Sequence, residues 1–173
     1  MNPFIQLFSV GLGVFLAGCA GIAHASDNAV GRLASYSAKL REKFPEVAVI
    51  STTDLAAMNP QPALLDVRSS EEFEVSRIAG AVRAEDDPVA QLQRLGIRSD
   101  QPIVVYCSVG YRSAKAAEKL AKAGFTNVRN LNGSLFAWAN ENRPLVNDAG
   151  PTKTAHPYNR WWGRYLEKDK WER

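Results

Sequence analysis

The stretch Val104–Phe125, VVYCSVGYRSAKAAEKLAKAGF, decides how this chain folds. With Ile103 in front, it opens on a short apolar run ending at Tyr106, rich in β-branched residues, the pattern of a strand covered on both faces. Ser113–Ala123 places Ala117, Leu120 and Ala121 on one side of a helix, with Gly124 as its stop and Phe125 folding back over the last turn. Between strand and helix lie Cys107, Ser108, Val109, Gly110, Tyr111 and Arg112. The thiol therefore sits beyond the carboxyl end of a strand, where ligands of α/β folds bind, and just before a helix N-terminus. Unpaired backbone N–H groups there carry partial positive charge, which favours a thiolate over a thiol. Gly110 lets the loop curl so that several N–H groups converge, and Arg112 adds a permanent cation whose planar fork suits an oxyanion.

Working outward, strands alternate with helices over Val47–Pro144. Asn28–Phe44 keeps helical apolar spacing and ends at Pro45. Val47–Ser51 reads as a short strand, and Thr53 or Asp54 as the cap of a helix over Leu55–Met58. Ala63–Val67 is a second covered strand, Ser70–Phe73 a helical turn, and Ala79–Val82 a turn into a short strand. Val89, Leu92 and Leu95 mark a helix stopped by Gly96, Val128–Leu131 a last strand, and Leu135–Asn142 a last helix. Such alternation with short connections predicts an α/β layer architecture, a mainly parallel central sheet with helices on both faces.

The 173 residues suit one domain with a substantial core. The net charge is +3, and residues 151–173, with six cations against three anions, carry all of that excess. No nucleic-acid footprint is present, and neither a G-x-G-x-x-G loop nor a phosphate-binding G-x-x-x-x-G-K supports a nucleotide site.

The first 25 residues hold no Asp, Glu, Lys or Arg, and Phe4–Ala17 is an apolar run short for a membrane span but suited to a signal-peptide core. Leu16-Ala17-Gly18-Cys19 resembles the lipobox of bacterial lipoproteins, which implies cleavage before Cys19 and lipidation of its thiol. A competing small-x-small site, Ala23-His24-Ala25, would give plain secretion; an uncleaved anchor or a cytoplasmic protein is the remaining alternative. The expectation is a protein on the periplasmic side of a bacterial membrane, lipid-anchored, with a soluble periplasmic form as the alternative. There are two cysteines, so lipidation or removal of Cys19 leaves Cys107 a single thiol in an oxidising compartment.

The motifs together resemble the single-domain rhodanese (sulfurtransferase) family. Cys107–Arg112 is similar to its Cys-x-x-x-x-Arg loop, Leu64–Arg68 to L-L-D-V-R with Glu72-Phe73 following, Ile78–Ala81 to I-x-G-A, and Leu131–Trp138 to L-x-G-G-x-x-x-W. Arg77 replaces a usual histidine, Ser134 a glycine, and Ser108 an arginine, leaving the loop mouth one cation short. The resemblance divides the chain into a signal peptide (1–18, lipobox 16–19), a linker and N-terminal helix (19–45), the rhodanese domain (46–146) and an aromatic, basic tail (147–173). It implies transfer of a sulfane sulfur, from a donor such as thiosulfate to cyanide or a thiol, through a persulfide on catalytic Cys107. Ser108–Ser113 (Ser108, Val109, Gly110, Tyr111, Arg112, Ser113) would form the anion-binding loop, and Asp66 and Arg68 a structural pair. No metal or organic cofactor is needed, and a protein acceptor is possible. Two other readings stay open: a non-catalytic sulfur-carrier or binding module, and a phosphatase or arsenate reductase on the same fold, whose loop has one more residue. In the tail, Tyr158, Trp161, Trp162, Tyr165 and Leu166 fit one stripe of a helix, expected to dock on the domain itself, with a membrane surface or a partner protein as alternatives.

Overall fold

The computed structural model describes residues 28–172; the signal-peptide segment and Cys19 lie outside the described residues. Helix α1 (Ala29–Lys43) starts where Asn28 Oδ1 accepts the Gly31 N–H at 2.8 Å, and Arg41 and Lys43 complement the negative end of its dipole. There follow β1 (Val49–Ile50), α2 (Thr52–Ala57), β2 (Ala63–Asp66), α3 (Ser70–Val75), β3 (Val82–Arg83), α4 (Pro88–Arg94), β4 (Ile103–Tyr106), α5 (Tyr111–Lys122), β5 (Val128–Leu131) and α6 (Ser134–Asn140). A hairpin, β6 (Leu145–Asn147) and β7 (Gly150–Thr152), and two 3-10 turns, Trp162–Tyr165 and Lys168–Lys170, complete the described chain.

The five strands β1 to β5 form one parallel sheet in the order β1-β5-β4-β2-β3, so β4 lies in the middle and all four of its residues are buried. The two-residue alternation of a strand sorts its side chains to opposite faces. Leu65, Ile103 and Val105 pack with Leu92 of α4, Leu120 of α5 and Phe125. Leu64, Val104 and Tyr106 pack with Leu33 of α1, Leu55 of α2, and Leu135, Phe136 and Trp138 of α6. Helices thus cover both faces, as the alternating pattern predicts.

The structure corrects several boundaries. Ser51, not Thr53 or Asp54, caps α2: its Oγ accepts the Asp54 N–H at 3.0 Å, and the earlier start carries Leu55 inward. Leu95 is 52% exposed, so the apolar face of α4 rests on Leu92 instead. Helix α5 begins at Tyr111 rather than Ser113, because Gly110, at φ 108°, turns the chain directly into the helix. Helix α6 likewise begins one residue early, at Ser134.

The tail differs most. Its spacing predicts one α-helical stripe, but Trp161 is 64% exposed while Tyr165 and Leu166 belong to the core cluster. The segment is folded on itself instead. Ala155 and Trp171 form a parallel bridge, and Gly163 passes so close beneath the Trp171 ring that a Cβ there would lie 2.5 Å from it. Asn159 Oδ1 accepts the N–H groups of Trp161 and Trp162, which fixes the turn between. Arg32 of α1 donates to the Arg164 carbonyl at 3.1 and 3.2 Å, and Asn140 of α6 donates to the Tyr165 carbonyl at 3.0 Å while accepting the Glu167 N–H at 2.9 Å. The expected divisions at 45/46 and 146/147 therefore do not separate the packed body: α1 and the tail share its core, and the β6–β7 hairpin spans the second division. Among the described residues, no helix is long and apolar enough to cross a membrane.

If the tail is part of the core, Leu166→Ala should cost about 2–5 kcal/mol, as for a buried leucine elsewhere, while Trp161→Ala should stay within about 0.5 kcal/mol. Denaturant unfolding of both variants measures this.

Candidate active site

Strand β4 delivers Cys107 to the carboxyl edge of the sheet, and the loop of Cys107 to Gly110 carries the chain into α5. The carbonyls of Cys107, Ser108 and Gly110 are taken up by the loop's surroundings. The N–H groups of Leu135 and Phe136, in the first turn of α6, donate to the carbonyls of Cys107 and Ser108, both at 3.0 Å. The Asn130 side chain donates to the Gly110 carbonyl at 3.1 Å. With the carbonyls held there, N–H and hydroxyl donors turn toward the sulfur. Cys107 Sγ accepts the Gly110 N–H at 3.2 Å and the Ser113 hydroxyl at 3.5 Å. Burial pushes the Cys107 thiol up. The nearby Arg112 charge, the Ser113 hydroxyl and the N–H groups of Ser113 and Gly110 outweigh it and hold the thiol below its ordinary range.

Ser134 occupies a left-handed conformation, φ 52°, where the resemblance expects glycine. Its hydroxyl accepts the Cys107 N–H at 3.2 Å and lies 3.4 Å from that of Ser113. The serine thus supplies an acceptor to the loop that glycine lacks. A Cβ at Gly110 would lie 3.2 Å from Leu40, so the tight turn is also a close approach to α1.

Arg112 does not present a free fork. It lies in the first turn of α5, where its Nη1 and Nη2 donate to the two oxygens of Glu72 at 2.8 and 2.7 Å. Its guanidinium carbon is 5.0 Å from the centre of the Tyr158 ring, which covers one face. Ser108 is not an open position at the loop mouth either: it is 3% exposed, and its hydroxyl donates to Glu72 at 2.7 Å. The carboxylate that organises both was missed as a site residue. Glu72 sits in a capping box with Ser69, its Oε2 accepting the Ser69 N–H at 3.1 Å. The sequence pattern Ser69-x-x-Glu72 signals that cap, but nothing local signals its second role. Burial pushes the Glu72 carboxyl up, yet hydrogen bonds from Arg112 and Ser108 and the Arg112 charge prevail and hold it at about 2.

Asp66 and Arg68 pair bidentately with both side chains fully buried, the shortest contact 2.6 Å. Arg68 also donates to the Ser76 carbonyl at 2.6 Å, so this pair ties the end of β2 to the end of α3. His156 accepts the Tyr158 N–H and shapes the tail. Cys107 lies at the base of a pocket of about 520 Å³, open mouth included. Its walls are Ser108, Val109, Tyr111, Arg112 and, from the tail, Tyr158 and Trp162. Among the described residues no cluster of three or more His, Cys, Asp or Glu could hold a metal.

Residues 51–141 match the rhodanese-like domain family, which is more than half of the chain, and the chain belongs to that family. Proteins named as sulfurtransferases are among the relatives that the chain matches, which ties this family to sulfur transfer. The uncharacterized protein YqhL of Bacillus subtilis is 40% identical over 77 residues, 43% of this chain and 59% of that protein, so the chain spans about three fifths of that relative. A protein named sulfurtransferase, from Allochromatium vinosum, is 31% identical over 87 residues, half of this chain and 80% of the other. In fold alone, the polysulfide-sulfur transferase of Wolinella succinogenes is similar, with a TM-score of 0.53, 24% identity, and coverage of 67% of this chain and 90% of that one.

Two measurements test the electrostatics. A carboxyl held at about 2 contributes stability that is present above its ordinary pKa of about 4.3 and is lost as pH falls through the folded value. Wild type should therefore lose more unfolding free energy than Glu72→Gln between about pH 5 and pH 2. Alkylation of Cys107 by iodoacetamide should show a midpoint below the free-thiol value of about 8.5. Arg112→Lys, a poorer match to the site, should raise that midpoint, and Glu72→Gln, which frees the Arg112 charge, should lower it further.

Proposed function

We propose that this protein is a sulfurtransferase in which Cys107 carries a sulfane sulfur between a donor and a thiophilic acceptor. The observation that supports this most is the convergence of the Gly110 N–H and the Ser113 hydroxyl on one buried sulfur at the base of an open pocket. The Cys107 thiolate attacks the outer sulfur of a donor such as thiosulfate. The new Sγ–S bond forms as the donor's S–S bond breaks, and the bonding pair leaves on sulfite. The resulting persulfide anion is held by the donors that held the thiolate. A thiol or cyanide then attacks its terminal sulfur, returning Cys107 as thiolate, so the reaction is covalent catalysis in two half-reactions. A small-molecule acceptor and a protein acceptor both fit this scheme.

A phosphatase or arsenate reductase reading has less support. Four residues separate Cys107 from Arg112, one fewer than the phosphatase loop, and Arg112 spends its fork on Glu72 rather than on a tetrahedral oxyanion. We extend the proposal to location: an exported protein held at the periplasmic side of a membrane by lipid on Cys19, a residue outside those described.

After incubation with thiosulfate, intact-mass spectrometry should show a gain of one sulfur atom that a reductant removes. Cys107→Ser should abolish both loading and turnover, since its hydroxyl is far too weakly acidic to serve as the anion. Turnover that survives in Cys107→Ser would overturn the mechanism.

A further inference from the structure

The family match ends at residue 141, yet two of the walls around Cys107, Tyr158 and Trp162, come from the chain beyond it. They are held in place. Trp162 packs edge-on against Tyr36 of α1 at 5.5 Å and lies 5.8 Å from Tyr165, itself in the core. Tyr158 stands in a left-handed backbone conformation, φ 65°, with its N–H bonded to His156 Nδ1 at 3.0 Å. With Val109 and Tyr111, these rings give the pocket an aromatic and aliphatic lining. Among the described lining residues the one cation is Arg112, whose two Nη groups donate to Glu72 and one face of which Tyr158 covers. A bare inorganic dianion leaves these apolar surfaces unused. A sulfur carried on a flat apolar body finds surfaces to stack on.

We propose that Tyr158 and Trp162 are specificity-determining residues that select, for the sulfur transfer proposed above, a donor whose sulfane sulfur is borne by an apolar, preferably aromatic, organic group. The inference rests on that reading of Cys107. For an organic persulfide R–S–SH, the Cys107 thiolate attacks the outer sulfur, the Sγ–S bond forms and the donor S–S bond breaks. The bonding pair stays on R–S, which takes the proton released by the outer sulfur. The products are the Cys107 persulfide anion and R–SH, and no external oxidant or reductant enters.

Benzenethiosulfonate and methanethiosulfonate test this, because they carry the same charge, the same sulfane sulfur and the same type of leaving group, a sulfinate. Each rate is referred to that of a free small-molecule thiol to remove intrinsic reactivity. Wild type should favour the aryl donor through KM by about two- to ten-fold, the range expected of an aromatic contact. Tyr158→Ala should lose most of that preference, the loss falling on the KM of the aryl donor. Tyr158→Phe, which keeps the ring, should retain it, and Trp162→Phe, which leaves a smaller ring in the lining, should lose part of it. Because Tyr158 is half exposed, Tyr158→Ala should melt as wild type does. Loading of Cys107 from both donors without discrimination, or an unchanged preference in Tyr158→Ala, would overturn the proposal while leaving sulfur transfer intact. If wild type loads from neither donor, sulfur transfer fails and the proposal falls with it.

Discussion

A carboxylate with almost no contact with water must find its partners inside the protein, and Glu72 finds them in the elements on either side of Cys107. It is 1% exposed, charged, and bonded to Ser69, Ser108 and Arg112. Through Ser69 it starts α3; through Ser108 it holds the residue after the thiol; through Arg112 it holds the first turn of α5. Removing any one partner leaves part of a charge desolvated and uncompensated, which is far costlier than losing an exposed contact. The position of α3 and the path of the loop are for that reason parts of one arrangement.

The same carboxylate divides the work of the site's cation. Arg112 still lowers the thiol through space, because a full charge acts across a low-dielectric interior, but its hydrogen-bonding fork is committed elsewhere. Holding the sulfur as an anion and receiving an anionic substrate are thereby separated. The first rests on Gly110, Ser113 and the field of Arg112; the second cannot draw on the two guanidinium N–H groups that Glu72 takes. On the other side of the loop, α6 supplies the counterpart. Its first N–H groups take the carbonyls of Cys107 and Ser108, and Ser134 takes the Cys107 N–H, so Cys107 is held through both its N–H and its carbonyl.

Much of this was legible in the sequence, and the physics explains which part. Strands β2 and β4 are covered on both faces, so they read as nearly continuous apolar runs, broken in β2 by Asp66, and the spacing from Cys107 to Arg112 is local. Gly110 marked the turn, although the helix start two residues earlier depended on a backbone angle that residue type only permits. Glu72 could be seen as a helix cap but not as the partner of Ser108 and Arg112, which lie 36 and 40 residues away. The tail misled for a different reason. Apolar residues at positions 158, 161, 162, 165 and 166 keep helical spacing, but spacing is a weak prior that tertiary contacts override. The bridge between Ala155 and Trp171 and the crossing at Gly163 close the segment into a loop that no helix could follow.

That loop has a meaning for how the protein can be cut and joined. The family occupies residues 51–141, but the sheet face over β1, β4 and β5 is roofed by α1 before that stretch and by Tyr165 and Leu166 after it. Inheritance and folding thus draw their borders in different places. A fusion or chimaera that transplanted only residues 51–141 would carry the Cys107 loop with one side of its core unroofed, whereas one that began at Asn28 and ran to Trp171 would carry that roof along.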